Sequence, residues 1–503
     1  MMDWLLNIVS YNPDAPFQFM QLGFWIFFGA VLLGNAILYK KLVLRNLFLY
    51  LASLFFYYKT GGLFFILLII TTLIGYWGGK MIEQSQSRAG KKASVTLSVT
   101  LFVAMLSYFK YAPFLCSLMG EWFNIHLQAT PISALFNNWF VGNSNTVQSF
   151  IFPIGISFFT FQGISYLVDV YRGKVRAIKS FVDFGFYVSF FPQLVSGPIV
   201  RAWEFIPQLY HKITLTEKQV WHALFLIMAG VFKKVIFSDY IALNLSDRIF
   251  TSPESYTGFE ILLGVIGYAL QIYADFSGYT DIAIGVALLL GFRLPTNFNA
   301  PYKATSITDF WRRWHISLSL WLRDYLYIPL GGNRGGKFKQ SMNLIITMLL
   351  GGLWHGANLR FVLWGALHGI ALVINKSFNW LEKLFEFSLP RWIGWILTFT
   401  FICFTWILFR SPDMATLQTI LLRMGYAFSW NTIPSIISAY DTTIGLILLG
   451  FIIHFLPSSI KEILRGYFIN LPTFIKITLV ILFIVLIYQV NSATVQPFIY
   501  FKF

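Results

Sequence analysis

His355 is the residue best placed to do acid–base chemistry in this sequence. It stands in Gly351-Gly352-Leu353-Trp354-His355-Gly356-Ala357-Asn358, directly after the apolar run from Leu344 to Leu350. An imidazole held in apolar surroundings is neutral near pH 7 and can take a proton from an alcohol and return it. Gly351, Gly352 and Gly356 would let a substrate approach beside the ring; the alternative is a packing histidine, hydrogen-bonded between helices. Upstream, Phe310-Trp311-Arg312-Arg313-Trp314-His315 has the pattern of a helix lying at an interface or lining a basic cavity. Taken alone, His315 reads as structural, while Arg312, Arg313 and Arg323 either reach for lipid headgroups or bind an anion.

Other chemistries fit less well. Gly331 to Lys337 has the spacing of a phosphate-binding loop, but Phe338 stands where a hydroxyl should hold magnesium and no strand precedes it. The basic residues there, Arg334, Lys337 and Lys339, read as a turn that meets phosphates of lipid or of a nucleotide-bearing acyl donor. Gly155-Ile156-Ser157 starts like a nucleophile elbow and lacks its closing glycine. Neither His315 nor His355 has a carboxylate at metal-ligand spacing, so no metal is expected. Cys116 and Cys403 have no CxxC neighbour and read as packing residues.

These residues must be held by membrane helices. The 503 residues are 57% hydrophobic and only 12% charged, with a mean hydropathy of +0.66. That composition excludes an ordinary soluble domain. The formal charge of +16 gathers in short connections such as 80–92, 172–179 and 201–218, as in cytoplasmic loops facing anionic lipid, and does not call for nucleic acid. Loop 116–148 is nearly free of charge and reads as external. The opening residues read as retained, with no cleaved leader. Apolar runs recur from 18–39 to 473–490; 43–79 reads as two short or tilted helices joined at Thr60-Gly61-Gly62, and 257–292 is too long for one straight span. Phe190 to Arg201, with two prolines and a glycine, reads as a broken helix. Gln271, Asp275, Ser277, Thr280 and Asp281 fall inside an apolar stretch, so their helix should face protein or a water-filled cavity. With no repeat or linker, residues 1–503 read as one integral domain.

The order NFNAPYKATSITDFWRRWHISLSLWLRDYLYIPLGGNRGG then LLGGLWHGAN, with PIGISFFTFQ, FFPQLVSGPI and YADFSGYTDIAIG before it, resembles the membrane-bound O-acyltransferase family in its alginate and peptidoglycan O-acetyltransferase branch. The likeness covers a motif core at about 152–368. It implies an all-α polytopic membrane protein with roughly 11 transmembrane helices plus re-entrant and interfacial helices around a central tunnel. It also implies His355 as catalytic residue, His315 as the second motif histidine, and O-acetylation of an extracytoplasmic cell-envelope polysaccharide such as alginate or peptidoglycan. The donor would be cytoplasmic acetyl-CoA, with no bound cofactor, in the bacterial inner membrane, beside an extracytoplasmic partner of the SGNH type. Within that frame Arg312, Arg313, Trp314, Arg323, Asn333, Arg334, Trp354, Asn358 and Asp275 are candidates for binding the donor or lining the tunnel. The aromatic tail 496–503 carries Tyr500, a candidate acyl relay whose phenol, deprotonated by His355, would hold the acyl group as an ester. A transporter or flippase of an acyl group or lipid-linked saccharide is the alternative, since polar intramembrane residues and broken helices suit it equally.

Overall fold

The computed structural model describes residues 10–12, 16–125, 153–212, 214–490 and 498; Tyr500 lies outside them. The chain forms two compact units, Met1–Thr214 with Leu290–Arg293, and Leu215–Leu289 with Leu294–Phe503. The described residues are helical or irregular, with no strand among them.

The first unit contains α1 (Leu22–Leu38), α2 (Leu42–Gly61), α3 (Phe65–Gln84), α4 (Arg88–Leu106), α5 (Ala112–Phe123), α6 (Ile156–Tyr171), α7 (Phe181–Ser189), the single turn α8 (Phe191–Leu194) and α9 (Ala202–Leu209). The buried residues of α2 recur at helical spacing, Arg45, Asn46, Leu49, Tyr50, Ser53, Phe56 and Tyr57. The buried guanidinium of Arg45 donates to the Leu209 carbonyl at 2.7 Å and the His211 carbonyl at 3.2 Å, which meets the rule that a buried charge must be hydrogen-bonded. As the sequence led one to expect, α2 and α3 are separated at Gly62, whose φ of +61° suits glycine. Helix α7 breaks at Phe190 as expected, and Gln193 donates back to the Tyr187 carbonyl at 2.9 Å to cover an orphaned acceptor.

The second unit opens with α10 (Glu217–Phe232), started by a capping box of Thr216 and Gln219. Its axis continues through two widened turns, Lys233–Asp239 and Ala242–Ser246, into α11 (Asp247–Thr251). Helix α12 (Gly258–Leu289) follows as one unbroken helix of 32 residues, within a run that the sequence marked as too long for one straight span. Two of its carboxylates, Asp275 and Asp281, are paired by lysines on the extension of α10. A Cβ on Gly278 would lie 2.7 Å from the Gly230 carbonyl oxygen, and one on Gly285 2.7 Å from that of Ala223, so glycine is what allows the two backbones to touch. That approach brings Lys233 to Asp281 at 2.5 Å and Lys234 to Asp275 at 2.6 Å. The widened turn also puts Lys234 2.8 Å from Asp239, five residues on, a partner that a regular helix would turn about 140° away.

Next come α13 (Ile307–Arg313), α14 (Ile316–Leu322), α15 (Gly336–His355), α16 (Leu359–Leu384) and α17 (Arg391–Arg410), followed by α18 (Met414–Tyr426), α19 (Ile433–Ala439), α20 (Asp441–Phe455), α21 (Ser458–Asn470) and α22 (Thr473–Val490). Among the described residues six helical stretches are long and apolar enough to cross a membrane, or eight if each of two sharply bent pairs is one span. Helices α13, α14 and α15, which carry the motif, are not among those stretches.

Candidate functional site

His355 is the last residue of α15; Gly356, at φ −169°, turns the chain away, and Asn358 caps α16 by accepting the Arg360 N–H at 3.0 Å. The free carbonyls of a helix C-terminus favour positive charge nearby, which suits a ring able to accept a proton. The ring is buried. It meets Trp354 at 4.9 Å, Trp364 at 5.1 Å and Phe409 at 5.2 Å between ring centres, each nearly edge to face. The flanking glycines do something other than leave space for a substrate. A Cβ on Gly352 would collide with the Phe361 carbonyl oxygen, one on Gly365 with that of Met348, and one on Gly356 with the Phe361 ring. Small residues here let α15 and α16 pack backbone to backbone. Gly351 alone is open on one side, with Leu322 Cδ1 3.2 Å from its would-be Cβ.

His315 lies at a corner, between two helices. Helix α13 ends at Arg313, and His315 has a φ of +42°, a left-handed conformation unusual outside glycine. Asn297 braces the turn: its carbonyl accepts the Ile316 N–H at 2.9 Å and its Oδ1 accepts the Ser317 N–H at 3.1 Å and hydroxyl at 2.9 Å. Of the expected segment, Phe310 to Arg313 is helical, with Trp311 and Arg312 lining a cavity, whereas His315 stands in a buried corner after the helix. The His315 ring packs on Phe276 at 4.7 Å and on Trp354 at 5.7 Å. Trp354 thus touches both motif histidines. Burial pushes the His315 imidazole down to about 3, so it is neutral at physiological pH.

Beyond His355 the row of rings continues. Trp364 lies 4.4 Å from His368, whose Nδ1 accepts the Trp311 indole N–H at 3.3 Å. Trp311 in turn lines a cavity of about 380 Å³, together with Arg312, Ile316, Arg323, Thr347 and Met348. Along α15 the residues Thr347, Gly351 and His355 are spaced by four, so the face that walls the cavity runs on to His355, about 12 Å from Thr347. Neither His315 nor His355 lines the cavity itself.

The other expected binding residues divide. Arg312 and Arg323 stand at the cavity, with Arg323 Nε also on Asp324 at 2.7 Å. Arg313 pairs with Asp309 at 2.9 Å, and Trp314 is core, against Phe298 at 5.1 Å and Trp406 at 5.0 Å. Asn333 accepts from Tyr327 at 2.8 Å and from Gln340, ordering the loop in which Arg334 is exposed. Asn358 is spent on the helix cap, and Asp275 is held by Lys234 and by the Ser238 hydroxyl at 3.2 Å. Sequence reasoning passed over Lys234 and Asn297. Lys233-Lys234 inside an apolar run was a legible signal, because two adjacent ammonium groups there require carboxylate partners; Asn297 left none.

The sequence model of the membrane-bound O-acyltransferase family matches residues 156–411. A probable alginate O-acetylase of Pseudomonas aeruginosa is 41% identical over 375 residues, 74% of this chain and 68% of its own length. The peptidoglycan O-acetyltransferase of Helicobacter pylori is 34% identical over 444 residues, 83% and 80% of the two chains. The teichoic acid D-alanyltransferase of Bacillus subtilis is 27% identical over 278 residues, 51% and 68%.

Proposed function

The chain belongs to the membrane-bound O-acyltransferase family and is a multi-pass membrane acyltransferase, and from that premise we propose that it moves acetyl from cytoplasmic acetyl-CoA through a tunnel to hydroxyls of an extracytoplasmic cell-envelope polysaccharide. Relatives named for alginate and for peptidoglycan O-acetylation support that acceptor class. Family membership decides against the transporter alternative, since an acyltransferase makes and breaks a covalent bond.

One observation carries the mechanism: the cavity wall formed by α15 leads along a single helix face to His355. The apolar cavity would take the pantetheine arm, with Arg312 and Arg323 toward the coenzyme's phosphates. His355 takes the proton of an attacking hydroxyl as its oxygen bonds to the thioester carbonyl carbon. The carbon–sulfur bond breaks, and the imidazolium returns the proton to the thiolate, releasing coenzyme A as the thiol. Trp354 holds the two motif histidines in register, and His315 acts as a positioning residue. In the relay form of the step the first hydroxyl is that of Tyr500, whose acetyl ester then passes to the sugar, presented by an SGNH-type partner outside the bacterial inner membrane.

Proteoliposomes given labelled acetyl-CoA test the reading. Slow release or transfer of acetyl that stops in His355→Ala is expected, and Tyr500→Phe should block transfer to sugar. Intact acetyl-CoA after incubation with folded wild-type protein, acceptor and partner would overturn it.

A further inference from the structure

The C-terminal segment leaves one described residue inside the second unit. Phe498 is 1% exposed, and its ring stands edge to face with Tyr279 at 4.8 Å between centres. The ammonium of Lys234 lies over the same ring at 4.6 Å from its centre. Lys234 is itself buried and held on its other side by Asp275 at 2.6 Å and Asp239 at 2.8 Å. Asp275 and Tyr279 are four residues apart on α12, so they share a face and form one wall. The widened turn after α10 supplies the other.

A cation fixed between two carboxylates could satisfy its charge without an aromatic ring. Its third side, however, faces neither water nor lipid, and a ring with its negative face toward the ammonium is what such a site accepts. From this we propose that Lys234, Asp275, Asp239 and Tyr279 form a built seat for an aromatic side chain, filled in cis by Phe498, and that this seat fixes where the C-terminal tail is held. Lys234 is then a positioning residue for the tail. A tyrosine two residues beyond an anchored phenylalanine is tethered within about 7 Å of it by covalent geometry alone, so seating Phe498 limits the search of the Tyr500 hydroxyl. The inference rests on the relay reading only in that last consequence; the seat itself does not require it.

Three measurements separate the two ideas. Benzoylphenylalanine in place of Phe498, irradiated in native membranes, should crosslink to the peptides carrying Lys234 or Tyr279; adducts confined to other segments, in protein that retains its wild-type melting temperature, overturn the seat. Stepwise fluorination of Phe498, which weakens the ring's negative face at constant size, should lower kcat progressively at constant KM for the acyl donor. Loss of the cation–ring contact should shift the docked-to-undocked ratio of the tail about thirtyfold. Equal rates across the fluorinated series, in protein whose Tyr500→Phe variant has lost transfer, would remove Lys234 from the role. Tyr500→Phe should stop transfer and leave the crosslink intact; if that variant transfers normally while the crosslink persists, the relay fails and the seat stands.

Discussion

Two polar groups of residues lie in the second unit, and the fold treats them in opposite ways. Around His355 and His315 it supplies the rings of Phe276, Trp354, Trp364 and Phe409. Around Lys233 and Lys234 it supplies carboxylates at 2.5–2.8 Å. A neutral imidazole among rings can gain and lose a proton with little rearrangement, whereas an ammonium between two carboxylates is fixed in charge because either partner alone would be a buried ion. The first arrangement suits chemistry; the second suits holding two helices and, through Phe498, a tail.

The widest separation between the two should come from deleting one member of each. His355→Ala is expected to lower acetyl transfer by roughly 10²–10⁴-fold, the range for loss of a general base, with the melting temperature in detergent nearly unchanged. Lys234→Met should act chiefly on stability, destabilising by about 3–5 kcal/mol because Asp275 and Asp239 lose their shared cation; adding Asp275→Asn and Asp239→Asn should restore part of the loss in the same melting assay. If the lysine variant instead melts normally, the carboxylates are not the buried ions described above. Arg312→Gln is expected to raise the KM for the acyl donor about tenfold with kcat preserved, and Arg323→Gln by less, since Asp324 already holds that guanidinium. The smallest effect concerns pH. Burial holds the His315 imidazole near 3, below its ordinary value of 6.5. Between those values the unfolded chain binds the extra proton, so stability should fall as pH drops through about 6.5. His315→Asn, which tolerates the left-handed backbone, should flatten that slope; an unchanged slope would mean the ring is not the group responsible.

The membrane class and the broken helix at Phe190 were legible because they depend on composition and local residue type. What was not legible depended on partners far along the chain. The glycines beside His355 were read as space for a substrate, yet Gly352 meets the backbone of a helix whose position no local pattern encodes. His315 was read into a helix because arginine and tryptophan spacing suits one; the corner exists because Asn297, 18 residues upstream, caps the exposed N–H groups. Helix α12 was expected to face protein or a water-filled cavity because five polar residues interrupt an apolar run, but no local pattern named the partners that meet them. The lysines that accommodate two of them, Asp275 and Asp281, lie some 40 residues earlier on the extension of α10.

The unbroken helix α12 has a bearing on how the enzyme sits in lipid. Thirty-two residues rise about 48 Å, well beyond the roughly 30 Å of bilayer hydrocarbon. It must therefore incline steeply or project into the headgroup layer. Two thirds of its most apolar window is enclosed by the protein, so neighbouring helices set its slope and hydrocarbon thickness has little purchase on it. Lengthening the acyl chains of a reconstituted bilayer should accordingly leave the spacing of Lys234 and Asp275 untouched, and the annulus of lipid will adapt to the protein.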